Sequence, residues 1–97
     1  MRHTIVLAPE AVEDFHRLPA RLRAVVRSGL ETHLRHQPTG VSRSRIKRLR
    51  GLARPQYRLR LEDLRVFYDV AGRTVSVLAI VPKKRTAEWL DQYGVPS

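Results

Sequence analysis

The chain has 97 residues, which suits one domain, residues 1–97, with a single modest core. It carries 19 Lys and Arg against 9 Asp and Glu, and this net charge of +10 favours polyanionic partners such as nucleic acid, the ribosome or an acidic protein. Cysteine is absent, which excludes disulfides and thiolate metal sites. Because no segment reads as a signal peptide or a membrane span, the sequence predicts a cytoplasmic protein without a membrane partner.

The first half of the chain predicts one strand and two helices. Thr4 to Ala8 is a short apolar run and predicts the first strand. Pro9 suits the first position of a helix, which apolar residues spaced three or four apart continue to Leu18. The same spacing predicts a second helix from Ala20 to His36, and together the two form a helical hairpin laid on a sheet. The polar side of the second helix is predicted to be a solvated face and carries Arg21, Arg23, Arg27 and Arg35.

The second half predicts strands, followed by a short helix. Apolar and basic residues alternate only weakly from Ile46 to Gly51, so this segment predicts a minor strand. Leu52 to Pro55 is predicted to be a loop. Gln56 to Pro82 alternates strongly and predicts two consecutive β-hairpins. Thr86 to Tyr93 then predicts a terminal helix. The predicted fold is therefore α+β, with an antiparallel twisted sheet, the helical hairpin packed on one face, and a short C-terminal helix.

The register of the first hairpin follows from its short polar break. If Glu62-Asp63 is a two-residue turn, apolar side chains meet on one side of the sheet: Leu61 with Leu64, Leu59 with Val66 and Tyr57 with Tyr68. The other side then carries Arg58 opposite Phe67, and Arg60 opposite Arg65. Like charges directly opposite each other destabilise a sheet. Such a pair is either well solvated or used to bind an anion.

Four segments in this order and spacing resemble the RelE/ParE toxin family of toxin–antitoxin systems: Leu49-Arg50-Gly51-Leu52, Tyr57-Arg58-Leu59-Arg60, Leu64 to Val70, and Val75 to Ile80. The opening Leu7 to Ala11, followed by Leu18-Pro19, is also similar to the start of that family. The resemblance covers nearly the whole chain and implies a RelE-like fold.

The RelE-like branch of this family implies a metal-independent endonuclease that acts on messenger RNA at the ribosome and needs no cofactor. In this chemistry the ribose 2′-hydroxyl attacks the adjacent phosphate, and cations stabilise the charge that develops there. By motif position, the catalytic candidates are Arg58, Arg60, Arg65, Lys84 and Arg85. The candidates for RNA binding are Lys47, Arg48, Arg50, Phe67 and Lys83.

The resemblance leaves three functions open. Arginine occupies two strand positions where some active members have lysine, and Leu90 lies where many carry a tyrosine or histidine. The alternatives to an RNA endonuclease are therefore a ParE-like gyrase poison and a non-catalytic nucleic-acid-binding relative. The family implies a cognate antitoxin, and the concentrated positive charge predicts an acidic one that covers the basic sheet face. The four histidines show no spacing typical of metal ligands, so no metal site is predicted.

Overall fold

A five-stranded sheet with two helices on one face forms the centre of the fold. The computed structural model describes residues 2–97. The helices are α1 (Pro9–Arg17), α2 (Ala20–Gly29) and α3 (Thr86–Tyr93). The strands are β1 (Thr4–Leu7), β2 (Ile46–Arg48), β3 (Leu52–Arg54), β4 (Tyr57–Leu61), β5 (Leu64–Ala71), β6 (Thr74–Pro82) and β7 (Val95–Pro96).

The sheet is mixed rather than antiparallel. Its strand order is β1-β6-β5-β4-β2, and β1 runs parallel to β6, with Thr4 beside Thr74. The other pairs are antiparallel, as predicted. The α+β class is confirmed, whereas an all-antiparallel sheet is wrong. The parallel pair arises because α1 and α2 carry the chain away from β1, so β6 meets β1 only after two further hairpins.

The helical hairpin is confirmed, but its second helix is shorter than predicted. α2 ends at Gly29 and a single π-helical turn, Leu30–Leu34, continues it. Gly29 lies where the helix touches the sheet, and a Cβ added there would lie 2.5 Å from the Leu61 side chain. This close approach favours glycine, which is also a weak helix former, at the point where the α-helical geometry ends.

Both hairpins form with two-residue turns. Glu62-Asp63 joins β4 to β5, and Glu62 has a positive φ of 55°. Gly72-Arg73 joins β5 to β6, with Gly72 at a φ of 59°. The register predicted from the first turn is confirmed pair by pair, from Tyr57 beside Tyr68 to Leu61 beside Leu64.

The face of the sheet that α1 and α2 cover, called here the first face, holds the main core. Val26 and Leu34 come from the helical layer, and the sheet contributes Leu59, Val66, Tyr68, Val75 and Val77, all fully buried. The Tyr68 hydroxyl donates to Pro38 O at 2.6 Å, so its polar atom is satisfied inside the core. Burial, followed by nearby Tyr57, raises the pKa of Tyr68.

The opposite face, called here the second face, holds a smaller cluster in which Phe67, Ala79 and Val81 are buried. Two elements next to Gly51 differ from prediction. The predicted loop at Leu52 to Pro55 contains β3, which pairs with β7 at the end of the chain. The minor strand predicted to reach Gly51 ends at Arg48, because Gly51 has a φ of +77° and turns the chain out of the main sheet. Within residues 2–97, no helix is long and apolar enough to cross a bilayer.

Candidate nucleic-acid interface

Basic side chains stand in two neighbouring rows on the second face. Arg60 of β4 lies directly opposite Arg65 of β5. In the next row Lys47 of β2 lies beside Arg58, which in turn lies opposite Phe67. Directly opposed residues place their Cβ atoms about 5 Å apart. The structure therefore brings Lys47, Arg58, Arg60 and Arg65 onto one patch, called here the basic rows.

Arg65 is the most enclosed member of the basic rows, with 7% of its surface exposed. Its Nη1 donates to the Glu62 and Leu64 carbonyl oxygens, both at 2.9 Å. Burial, followed by the charges of Arg58 and Arg60, lowers the pKa of Arg65. The guanidinium is thus held by backbone carbonyls among like charges.

Arg58 is half-buried beside these charges, and its Nε is buried without a hydrogen-bond partner among the residues described. Burial, followed by the charge of Arg60, lowers the pKa of Arg58. Within residues 2–97, Arg58, Arg60 and Arg65 form no ion pair with a carboxylate. A buried donor without an acceptor is costly, and a bound anion would satisfy it while offsetting the mutual repulsion.

Helix α3 covers the part of the second face next to the basic rows. The Trp89 ring stacks on Phe67, with centroids 4.9 Å apart and planes 4° from parallel. Leu49 and Leu90 pack against the same small cluster, in which Phe67, Ala79 and Val81 are buried. Trp89 and Leu90 therefore anchor α3 to the sheet. Phe67 is 1% exposed, so in this conformation it supports Trp89 and does not present its ring to a ligand.

The Lys83-Lys84-Arg85 cluster forms an exposed 3-10 turn at the Arg65 end of the hairpin. Lys83 N donates to Asp63 O at 2.7 Å, which fixes this cluster to the β4–β5 turn. The β4–β5 turn therefore connects the Lys83-Lys84-Arg85 cluster to the end of the basic rows.

Two predicted RNA-binding residues lie away from the basic rows. Arg48 is in register with Tyr57, whose side chain faces the first face, and its Cζ lies 5.1 Å from that ring's centroid. Its Nη1 also donates to Gln56 O at 2.9 Å. Arg50 is exposed in the turn before Gly51. Neither side chain is brought onto the patch.

Arg45 is a further basic residue beside the basic rows, and it is not among the candidates predicted from sequence. The pairing of β2 with β4 extends one residue further, because Arg60 N donates to Arg45 O at 2.8 Å. Arg45 Nη1 in turn donates to Arg60 O at 2.9 Å. The alternation of inward and outward residues extends from buried Ile46 back to Arg45, and this pattern could have placed Arg45 on the second face.

The arginines of the helical layer are only partly the solvated face that was predicted. Arg21 is largely exposed but pairs with Glu62 across the sheet edge, with Nη1 to Oε1 at 3.0 Å. Arg23 donates to Leu18 O at 2.5 Å, and Arg27 lies over the Phe15 ring. Arg35 forms an ion pair with Glu31 and donates to His3 O at 2.9 Å.

A cavity of about 500 Å³ lies between α1 and α3, apart from the basic rows. Beside it, Asp14 Oδ2 accepts a hydrogen bond from Ile80 N at 2.9 Å, because β1 pairs only with the first part of β6. Arg85 and Trp89 line this cavity. Within residues 2–97, no three histidine or carboxylate side chains are grouped as a metal would require.

Comparisons with known proteins identify relatives of this architecture. The family model described as ParE toxin of type II toxin–antitoxin system, parDE, matches residues 5–87. No curated protein is significantly similar in sequence.

Among solved structures, the chain is similar to the toxin–antitoxin complex RelBE2 from Mycobacterium tuberculosis, at 25% identity and a TM-score of 0.70, over 84% of this chain and 99% of that one. It is also similar to the RelE–RelB complex from Pyrococcus horikoshii OT3, at 25% identity and a TM-score of 0.62, over 89% and 100% of the two chains. The RelB–RelE complex from Methanococcus jannaschii, at 20% identity and a TM-score of 0.65 over 87% and 96%, shares the fold.

Proposed function

Because this chain belongs to the ParE toxin family of type II toxin–antitoxin systems, we propose that it is a toxin whose basic rows bind and cleave messenger RNA on the ribosome. The observation that carries the proposal is the concentration of three guanidiniums without carboxylate partners, one of them with a buried and unsatisfied Nε. A phosphodiester supplies the missing acceptors in a geometry that arginine matches well. Ribosomes are cytoplasmic, so the proposal also places the toxin there.

In the proposed reaction the 2′-hydroxyl oxygen attacks the adjacent phosphorus, and the bond to the 5′-oxygen of the next nucleotide breaks. The products are a cyclic phosphate and a new 5′-hydroxyl end. Arg60 and Arg65 flank the phosphate and stabilise the charge on the pentacoordinate transition state. Because arginine keeps its proton, these residues do not serve as the base. The 2′-hydroxyl proton passes to solvent and the departing 5′-oxygen takes a proton from solvent, while Lys47, aligned with Arg58, contacts the phosphate.

The remaining basic residues contribute affinity rather than chemistry in this proposal. Lys83, Lys84 and Arg85 contact phosphates along the strand on the side of the β4–β5 turn. Arg48 and Arg50 are more distant and contribute weaker contacts with RNA. Each phosphate contact adds salt-dependent affinity, and a Lys83/Lys84/Arg85 triple alanine variant is therefore expected to flatten the dependence of RNA binding on salt.

An acidic antitoxin is the proposed protein partner. The solved relatives are toxin–antitoxin complexes by their own descriptions, and this chain carries a net charge of +10. An acidic segment across the basic rows would neutralise them and block access by RNA. Its affinity should fall as salt rises, whereas a flat dependence would indicate a mainly apolar interface.

The test is induced expression in a bacterium, with messenger RNA cleavage and the DNA-damage response measured in parallel. RNA cleavage that Arg60→Ala abolishes supports the proposal, provided that Arg73→Ala remains active. Arg73 is a matched control because it lies in the other turn, at the far end of β5. Cleavage in vitro should also survive chelators at constant ribosome integrity.

A gyrase poison is the second candidate, and two observations favour it. The matching family model is that of the ParE toxin, and Trp89 of α3 covers Phe67, a residue predicted to bind RNA. This candidate predicts a DNA-damage response without RNA cleavage. It also predicts that Arg60→Ala and Arg65→Ala remain toxic.

A further inference from the structure

Three successive backbone carbonyls, from the β4–β5 turn and the first residue of β5, accept hydrogen bonds from the Arg65 side chain and the Lys83 backbone. The Glu62 and Leu64 oxygens accept from Arg65 Nη1, and the Asp63 oxygen between them accepts from Lys83 N. A turn of two residues thus fixes Arg65 and the start of the Lys83-Lys84-Arg85 cluster relative to each other. The conformation of this turn therefore fixes the Arg65 guanidinium and the backbone at which the Lys83-Lys84-Arg85 cluster begins.

The turn is itself held from the helical layer. Glu62 adopts a left-handed backbone conformation, with a φ of 55°, which is uncommon for a residue other than glycine. Its carboxylate accepts from Arg21 Nη1, at 3.0 Å to Oε1 and 3.3 Å to Oε2. Arg21 lies in the first turn of α2. One side chain therefore links the helical hairpin to the residue whose carbonyl orients Arg65.

Arg65 lies in surroundings that are unfavourable for a charged group. It is nearly buried, lies opposite Arg60, and forms no ion pair within residues 2–97. Both of its hydrogen bonds use Nη1, so Nη2 and Nε make none among the residues described. The guanidinium is thus anchored at one nitrogen, and the other two are available to a phosphate in bidentate geometry.

We propose that the β4–β5 turn sets the direction of the Arg65 guanidinium, and that Arg21, acting through Glu62, is a positioning residue for it. The inference rests on the proposed function for the role of Arg65 towards phosphate. The placement of Arg65 itself does not depend on any RNA. Arg21 touches no substrate in this scheme, and its effect is transmitted entirely by the turn.

The test follows the Arg65 side-chain signals by ¹⁵N NMR in the intact chain, together with RNA cleavage by the same samples. Arg21→Ala and Glu62→Gly each remove the tether, and glycine retains the left-handed conformation. Arg17→Ala is the matched control, because Arg17 forms another exposed ion pair, with Glu13 at 3.9 Å, that does not touch the turn. A charge-swapped variant, Arg21→Glu with Glu62→Arg, restores the pair in the opposite sense.

Arg21→Ala and Glu62→Gly should broaden or shift the Arg65 signals at unchanged melting temperature, and the charge swap should recover them in part. Cleavage should fall about two- to fivefold, mainly in kcat, because exposed ion pairs are weak. Cleavage by the double variant Arg21→Ala with Glu62→Gly should fall no further than cleavage by either single variant. Unchanged Arg65 signals, or losses that multiply in the double variant, would overturn the inference. If Arg65 responds but the parent chain cleaves no RNA, the positioning is upheld and the proposed function is wrong.

Discussion

The two faces of the central hairpin use alternate residues of the same strands in opposite ways. On the first face, Leu59, Val66 and Tyr68 are fully buried under the helical hairpin. On the second face, Arg58, Arg60 and Arg65 gather like charges that repel one another. Because neighbouring residues in a strand point to opposite faces, each can be changed while the other is kept. Stability and the proposed anion binding should therefore be separable in this molecule, residue by residue.

The strongest test of this difference between the faces is to replace two adjacent residues of β4, one on each face. We expect Leu59→Ala to lower the free energy of unfolding by about 2–5 kcal/mol, because it leaves a cavity in the core. Arg60→Ala should change it by less than about 0.5 kcal/mol, or raise it slightly, because a repulsion is removed. Urea unfolding followed by circular dichroism measures both. Equal losses would mean that the second face also carries the fold.

Activity should respond in the reverse order. We expect Arg60→Ala and Arg65→Ala to reduce RNA cleavage about 10²-fold, equivalent to about 3 kcal/mol of transition-state stabilisation. Arg60→Lys retains the charge but not the planar fork and should lose less. Rates are measured on folded samples matched by circular dichroism. Full toxicity of both alanine variants, with unchanged stability, would show that the basic rows are not the active site.

The covered part of the second face should be less stable than the core. Trp89→Ala removes the stack on Phe67, and we expect a loss of about 1–2 kcal/mol in unfolding free energy. Trp89→Phe should lose less. Because Trp89 is the only tryptophan and α3 has no fully buried residue, its fluorescence should change at lower urea than the circular dichroism signal. Coincident transitions would show instead that α3 unfolds together with the core.

The smallest expected effect is a dependence of folding stability on pH, which arises from His33 in the helical layer. Burial, followed by the charge of Arg45, lowers the pKa of His33 below its usual 6.5. The unfolded chain then binds more protons than the folded chain as pH falls through that value. Stability should therefore be full above about pH 7 and decline towards about pH 5. In urea unfolding, His33→Asn should remove this decline, and a decline of the same size in the variant would assign it to other groups.

The β4–β5 hairpin was predictable from sequence because its apolar and polar residues alternate regularly along both strands. The alternation of Leu59 and Leu61 with Arg58 and Arg60 defines the faces, and Glu62-Asp63 defines the register. The gathering of Arg58, Arg60 and Arg65 on the second face followed from that register. The role of these residues towards RNA stays a prediction.

What was missed depends on contacts between distant segments. β3 and β7 have three and two residues, too short for any alternation, and each is defined only by the other. The burial of Phe67 depends on where α3 docks, and the link from Arg21 to Glu62 depends on how α2 crosses the sheet edge. The parallel pairing of β1 could not be predicted because a single short strand carries no information about its partner.

The parallel pairing of β1 with β6 also has a consequence for the order of folding. Within residues 2–97, β1 pairs in the main sheet with β6 alone, and β6 is synthesised after both β4 and β5. Until Thr74 to Val77 emerge, the apolar sides of α1 and α2 lack the strand that joins them to the sheet edge. Contacts between such distant segments slow folding, because a long loop must close before they form. The toxin therefore cannot complete its main sheet during synthesis until β6 has left the ribosome.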